Sequence, residues 1–109
     1  MRTSFNMDDM NITMIRGDTL AFNIQVDLDD DLDSAYFTCR ANFNNAVFQK
    51  SLGDGIEKVE PKLYFVRIAP EDTAEIDAGM YYYDLQISVG GNVYTVMLGL
   101  LEIVQDVEE

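Results

Sequence analysis

Asp77-Ala78-Gly79-Met80-Tyr81-Tyr82-Tyr83-Asp84-Leu85-Gln86-Ile87-Ser88-Val89 opens as a turn and continues as a strand. After Gly79, large apolar residues fall on alternate positions: Tyr81, Tyr83, Leu85, Ile87 and Val89. Polar or amphipathic residues (Tyr82, Asp84, Gln86, Ser88) stand between them. A period of two marks a strand with one face in a core. Gly90-Gly91 follows directly and predicts a two-residue hairpin. The hairpin predicts a register in which Val89 faces Asn92, Ile87 Tyr94, Leu85 Val96, Tyr83 Leu98 and Tyr81 Leu100. The returning strand is expected from Asn92 to Val104, with a bulge or change of partner near Gly99.

Working outward, the same alternation recurs. Met10, Ile12 and Met14 suggest a first strand, which Arg16-Gly17-Asp18-Thr19 then breaks. Leu20, Phe22, Ile24 and Val26 alternate cleanly; this strand either hairpins with the first or lies in a second sheet. Asp27 to Asp33 is an acidic loop. Ala35, Phe37, Cys39 and Ala41 mark the next core face, and Ala46 to Ser51 a short strand. Gly53-Asp54-Gly55 is a turn, Ile56 to Glu60 an edge strand closed by Pro61, and Tyr64, Val66 and Ile68 another inward set. Ala69 to Ile76 reads as one helical turn begun by Pro70, with Ile76 plugging the core. About seven short strands with turns every 8–12 residues or so give an all-β sandwich. Residues 10–105 form a single domain, 1–9 an N-terminal arm and 106–109 an acidic tail.

The opening Asp-x-Gly-x-Tyr has the form of a tyrosine corner, in which a Tyr hydroxyl bonds to the upstream backbone in immunoglobulin-like sandwiches. Asp77, Gly79 and Tyr81 would build it, and Gly17 and Asp18 would shape the earlier turn. Tyr81→Phe is expected to destabilise the fold by about 1–3 kcal/mol through loss of a buried hydrogen bond. Tyr83 stands two residues further on, where antibody domains carry their second cysteine, so aromatic packing would replace a disulfide there. The fold class is therefore an immunoglobulin-like, two-sheet antiparallel sandwich with Greek-key connections.

Composition narrows the function. Twenty acidic residues against seven basic ones give a formal net charge of −13. Such a surface repels phosphate backbones and anionic membranes, so neither nucleic acid nor membrane is an expected partner. A single cysteine, Cys39, excludes an intrachain disulfide, and no signal-peptide core stands at the start, so a protein made in a reducing cytosol is expected.

Catalysis is not expected. The chain has no histidine, the commonest general base. Cys39 lies on a core face with no base to activate it. No phosphate-binding glycine loop occurs, and no cofactor is expected. Asp27, Asp29 and Asp31 have the spacing of the first ligands of a calcium loop, but Leu32 occupies the position of the turn glycine and Thr38 that of the bidentate glutamate. Loose calcium binding is the most this loop offers, and a solvated turn is the plainer reading. Arg16-Gly17-Asp18 matches an integrin-binding tripeptide, but its residues already have a turn to make. Tyr36 and Tyr82 point away from the core, with Met80 and Met97 in the same sense. These four are the candidate interface, since Tyr and Met are enriched at such surfaces. The two tyrosines also admit a carbohydrate platform, which the lack of tryptophan weakens.

Three segments in order carry a resemblance: Met14-Ile15-Arg16-Gly17-Asp18-Thr19-Leu20-Ala21-Phe22, Ala69-Pro70-Glu71-Asp72-Thr73, and Gly79-Met80-Tyr81-Tyr82-Tyr83-Asp84-Leu85-Gln86. The chain resembles small immunoglobulin-like virion proteins of tailed phages and prophages, such as the N-terminal domain of baseplate upper proteins. The resemblance implies a non-catalytic structural protein of a tail, baseplate or neck. It implies self-association, other virion proteins as partners, and synthesis in the bacterial cytoplasm before assembly into the virion. A bacterial immunoglobulin-like module that binds a ligand or a surface is the alternative.

Overall fold

The computed structural model describes residues 11–42 and 44–106. Among these, eight strands and one helical turn follow in the order β1 (Ile12–Ile15), β2 (Leu20–Gln25), β3 (Ser34–Asn42), β4 (Asn45–Leu52), β5 (Gly55–Glu60), β6 (Leu63–Ile68), α1 (Pro70–Thr73), β7 (Gly79–Val89) and β8 (Asn92–Val104). Each strand lies where the sequence places one. The expected N-terminal arm, with Met10, lies outside the described residues.

Hydrogen bonding runs in the order β1-β8-β7-β3-β4-β5-β6-β2. The link between β4 and β5 is only a short parallel ladder, Ser51 with Gly55 and Leu52 with Ile56. The chain therefore folds into a five-stranded sheet, β1-β8-β7-β3-β4, facing a three-stranded one, β5-β6-β2. Buried residues of both sheets form one core, with Ile24, Val26, Ile56, Val66 and Ile68 from one side and Phe37, Cys39, Tyr83, Leu85 and Leu101 from the other. The arrangement β3-β7-β8 against β2-β6-β5 is that of strands C-F-G against B-E-D in the immunoglobulin sandwich. The two strands that the Arg16-Gly17-Asp18 turn separates do not pair with each other. β1 runs parallel to β8 and β2 antiparallel to β6, so the turn carries the chain between sheets.

The core centre is aromatic. Phe37 stacks on Tyr83 at a centroid distance of 5.2 Å and on Phe48 at 6.2 Å, and Phe22 from the opposite sheet meets Phe37 at 6.2 Å. Such pairs add about 0.5–1.5 kcal/mol each beyond the area they bury. This cluster ties the sheets together where a disulfide would otherwise do so.

The β7–β8 hairpin departs from the simple register. Val89 faces Asn92 and Ile87 faces Tyr94, as expected. The register then slips, and Leu85 faces Met97, Asp84 Leu98, Tyr83 Gly99 and Tyr81 Leu101. Val96 is the extra residue of a bulge, and both Val96 and Met97 are buried. The physical reason is a change of phase in the sequence. Tyr94 and Val96 place the apolar face on even positions, whereas Leu101 and Ile103 place it on odd ones. Only an inserted residue lets both halves face one core. Gly99 then stands opposite Tyr83, where it presents no side chain to compete with the ring.

Candidate functional site

The resemblance-bearing segments meet at one end of the sandwich. The Gly17 N–H donates to Thr73 Oγ1 at 2.9 Å, joining the first turn to α1. Gly17 has φ +84°, a conformation favouring glycine. Arg16 binds Asp106 at 2.9 Å and reaches the Ile76 carbonyl at 3.5 Å. Asp106, expected in a charged tail, is thus part of the fold, while residues 107–109 lie outside the described residues. The Asp18 N–H donates to the Ile15 carbonyl at 3.0 Å. The Asp72 carboxylate accepts the Ala69 N–H at 2.7 Å and binds Lys50 Nζ at 3.1 Å. In β7, Tyr81 donates its hydroxyl to the Asp77 carbonyl at 2.6 Å, completing the corner. Its pKa is raised, first by burial of the ring and then by the charge of Asp77. These motifs build turns and latches. With Arg16 engaged by Asp106 and Ile76, the tripeptide serves the fold.

The acidic loop is divided between two lysines. Asp31 binds Lys58 at 2.8 Å, while Asp27 and Asp29 lie 3.6 and 3.7 Å from Lys62. The hydrogen bond that Lys58 donates to the Asp31 carboxylate raises the pKa of Lys58. Asp33 accepts the Gly90 N–H at 2.9 Å, which fastens the loop to the β7–β8 turn. Among the described residues, no three acidic or thiol side chains converge as a metal site would require. Cys39 is fully buried, and burial pushes its thiol up to about 12, so it stays protonated at neutral pH.

The outer face of the five-stranded sheet holds the remaining candidates. Tyr82 is 56% exposed, Met80 57% and Tyr36 44%. Met97 was expected with them but is 2% exposed, because the bulge turns it inward. Leu98 takes its place on the surface at 54% exposure. On the sequence reading it would have faced Tyr83 inside the core; the phase change within β8 was the signal that could have found it. By register, Arg40 of β3 lies beside Tyr82 of β7, which lies beside Leu100 of β8. One step towards the corner, Met80 lies beside Glu102; one step the other way, Thr38, Asp84 and Leu98 form a row. Met80, Tyr82, Leu98 and Leu100 thus form a continuous apolar stripe. Arg40, Asn42, Tyr82, Tyr83, Asp84 and Leu98 line a depression of about 300 Å³ beside it. Arg40 and Asp84 approach to 3.7 Å.

Tyr36 stands apart. It pairs with Gln86, four residues along β7 from Tyr82, or roughly 13 Å. Thr38 and Asp84 intervene, and Gln49 donates to Thr38 Oγ1 at 3.0 Å across the same face. The two tyrosines do not make one platform.

No family model matches the chain, and no curated protein matches it. Among solved structures it is similar to the crystal structure of the ZIG-8–RIG-5 IG1–IG1 heterodimer, at 13% identity over 87% of this chain and 82% of that chain, with a TM-score of 0.47. It is also similar to the Ig1 domain of mouse SynCAM 2, at 22% identity over 88% of this chain and 92% of that chain, with a TM-score of 0.47. The assignment of the fold rests on strand order and on the tyrosine corner.

Proposed function

We propose that the chain is a non-catalytic, immunoglobulin-like binding module that engages a protein partner through the outer face of the five-stranded sheet. One observation carries this reading. In a chain of net charge −13, the stripe of Met80, Tyr82 and Leu98, each more than half exposed, continues through the half-buried Leu100, with Arg40, Asp84 and Glu102 as the charges beside it. Depletion of charge with enrichment of Tyr and Met is the signature of an interface core. The test is capture of partners from the native source by the wild-type chain and by Leu98→Asp, with the fold of each checked by thermal melting. A partner held by the first and lost by the second supports the reading. Equal binding by both overturns it.

A second reading narrows the setting to assembly of a tailed-phage virion from protein made in the bacterial cytoplasm. The order of the Gly-Asp-Thr, Pro-Glu-Asp-Thr and Gly-x-Tyr-x-Tyr-Asp segments favours it. Those segments serve the fold, so they support the setting less directly than the stripe supports binding. Mass spectrometry of purified particles decides it: the chain is expected at a fixed ratio to tail proteins, and its absence removes the reading.

A further inference from the structure

The charge pattern of the same face points to its occupant. The outer-face register places Arg40 on β3 beside Tyr82, and Glu102 on β8 beside Met80. The two charges therefore flank the Met80–Tyr82 pair diagonally, one on each side. Asp84, the third charge on this part of the face, is 19% exposed and already faces Arg40. At 3.7 Å that contact is too long for a hydrogen bond, which leaves the guanidinium donors available.

We propose that this face pairs with a second copy of the chain. The inference rests on the binding-module reading above and names the partner. A two-fold axis passing between Tyr82 and Met80 brings Arg40 of each copy towards Glu102 of the other, on opposite sides of a shared apolar centre. The surface is self-complementary in the sense that an isologous interface requires. The remaining charge also favours this choice. Two copies of net charge −13 repel across most approaches. Here the acidic loop, Asp27 to Asp33, belongs to the turn between β2 and β3, and Glu57 and Glu60 belong to the three-stranded sheet. Among the described residues, Arg40, Asp84 and Glu102 are the only charges on the outer face of the five-stranded sheet, so two copies meet there with little repulsion. Its size is sufficient. Five strands about 4.8 Å apart with about nine residues each span roughly 20 by 30 Å, so two copies cover roughly 1,200 Å², the lower end of stable pairs.

The experiment is sedimentation velocity from about 1 μM to about 1 mM, in about 0.15 M salt, where the Debye length is about 8 Å. The native chain is expected to form a reversible dimer. Arg40→Glu and Glu102→Arg should each weaken it by about tenfold or more, and the double exchange should restore it to within about threefold of native. Leu98→Asp should leave a monomer that melts like the native chain. A native chain that stays monomeric throughout overturns the proposal. So does a double exchange no stronger than either single variant while all three remain folded. If an outside partner is lost in Leu98→Asp while the native chain is a monomer, self-pairing is wrong and the binding-module reading stands.

Discussion

Tyr81 and Cys39 show how local surroundings set the worth of a side chain. The tyrosine-corner bond to the Asp77 carbonyl is short, yet it lies at an exposed position. Water can replace it in part, so the 1–3 kcal/mol expected for a buried bond is too large. Tyr81→Phe should cost about 0.5–1.5 kcal/mol, read as a lower denaturant midpoint with unchanged slope. Cys39 and Tyr83 are buried deeply enough to carry pH dependence. Burial pushes the Cys39 thiol up from 9.0 to about 12 and the Tyr83 hydroxyl up from 10.0 to about 12. Both groups are neutral when protonated, so the folded state keeps its protons to higher pH than the unfolded state. Their contribution is complete below pH 9 and falls as pH rises from about 9 towards 12. Denaturant midpoints measured from pH 8 to 11 should decline above pH 9. Cys39→Ala should lower stability at neutral pH and flatten the earliest part of that decline.

At the scale of elements, the β7–β8 hairpin carries the decisive feature. Gly90 and Gly91, at φ +58° and +84°, form the primed turn that matches strand twist. The bulge at Val96 then exchanges the roles of Met97 and Leu98. Met97→Ala should cost about 2–4 kcal/mol, as truncation of a buried side chain does, whereas Leu98→Ala should change stability by less than about 0.5 kcal/mol. Chemical denaturation of the two variants checks this, and equal costs would remove the bulge. α1 matters through its ties more than its length. Thr73 is buried and its hydroxyl receives the Gly17 N–H, so Thr73→Val keeps the volume but loses the latch. A loss of about 1 kcal/mol is expected in the same measurement.

For the molecule as a whole, charge is the dominant stress. Twenty acidic side chains against seven basic ones repel one another in the compact state more than in the expanded one. Local pairs such as Lys50 with Asp72 and Lys58 with Asp31 relieve only part of this. Raising salt from about 10 to about 150 mM shortens the Debye length from about 30 to about 8 Å and should raise the melting temperature. A melting temperature that falls over this range would mean that the short ion pairs outweigh the long-range repulsion.

The amino-acid sequence by itself determined the strands, because alternation and glycine turns are local properties. It also determined the corner at Tyr81, whose parts lie within five residues, and the outward direction of Tyr36, Met80 and Tyr82. The bulge was legible in principle from the phase change between Val96 and Leu101, but two acceptable registers differ there only in which neighbours they bury. That choice belongs to the tertiary structure, because Tyr83 needs the space opposite Gly99 while Leu101 and Ile103 must reach the core. The stretch Asp77 to Val89 thus carries both answers. Its inner residues are specified by their own pattern, and its outer stripe gains Leu98 and loses Met97 only when β8 docks beside it.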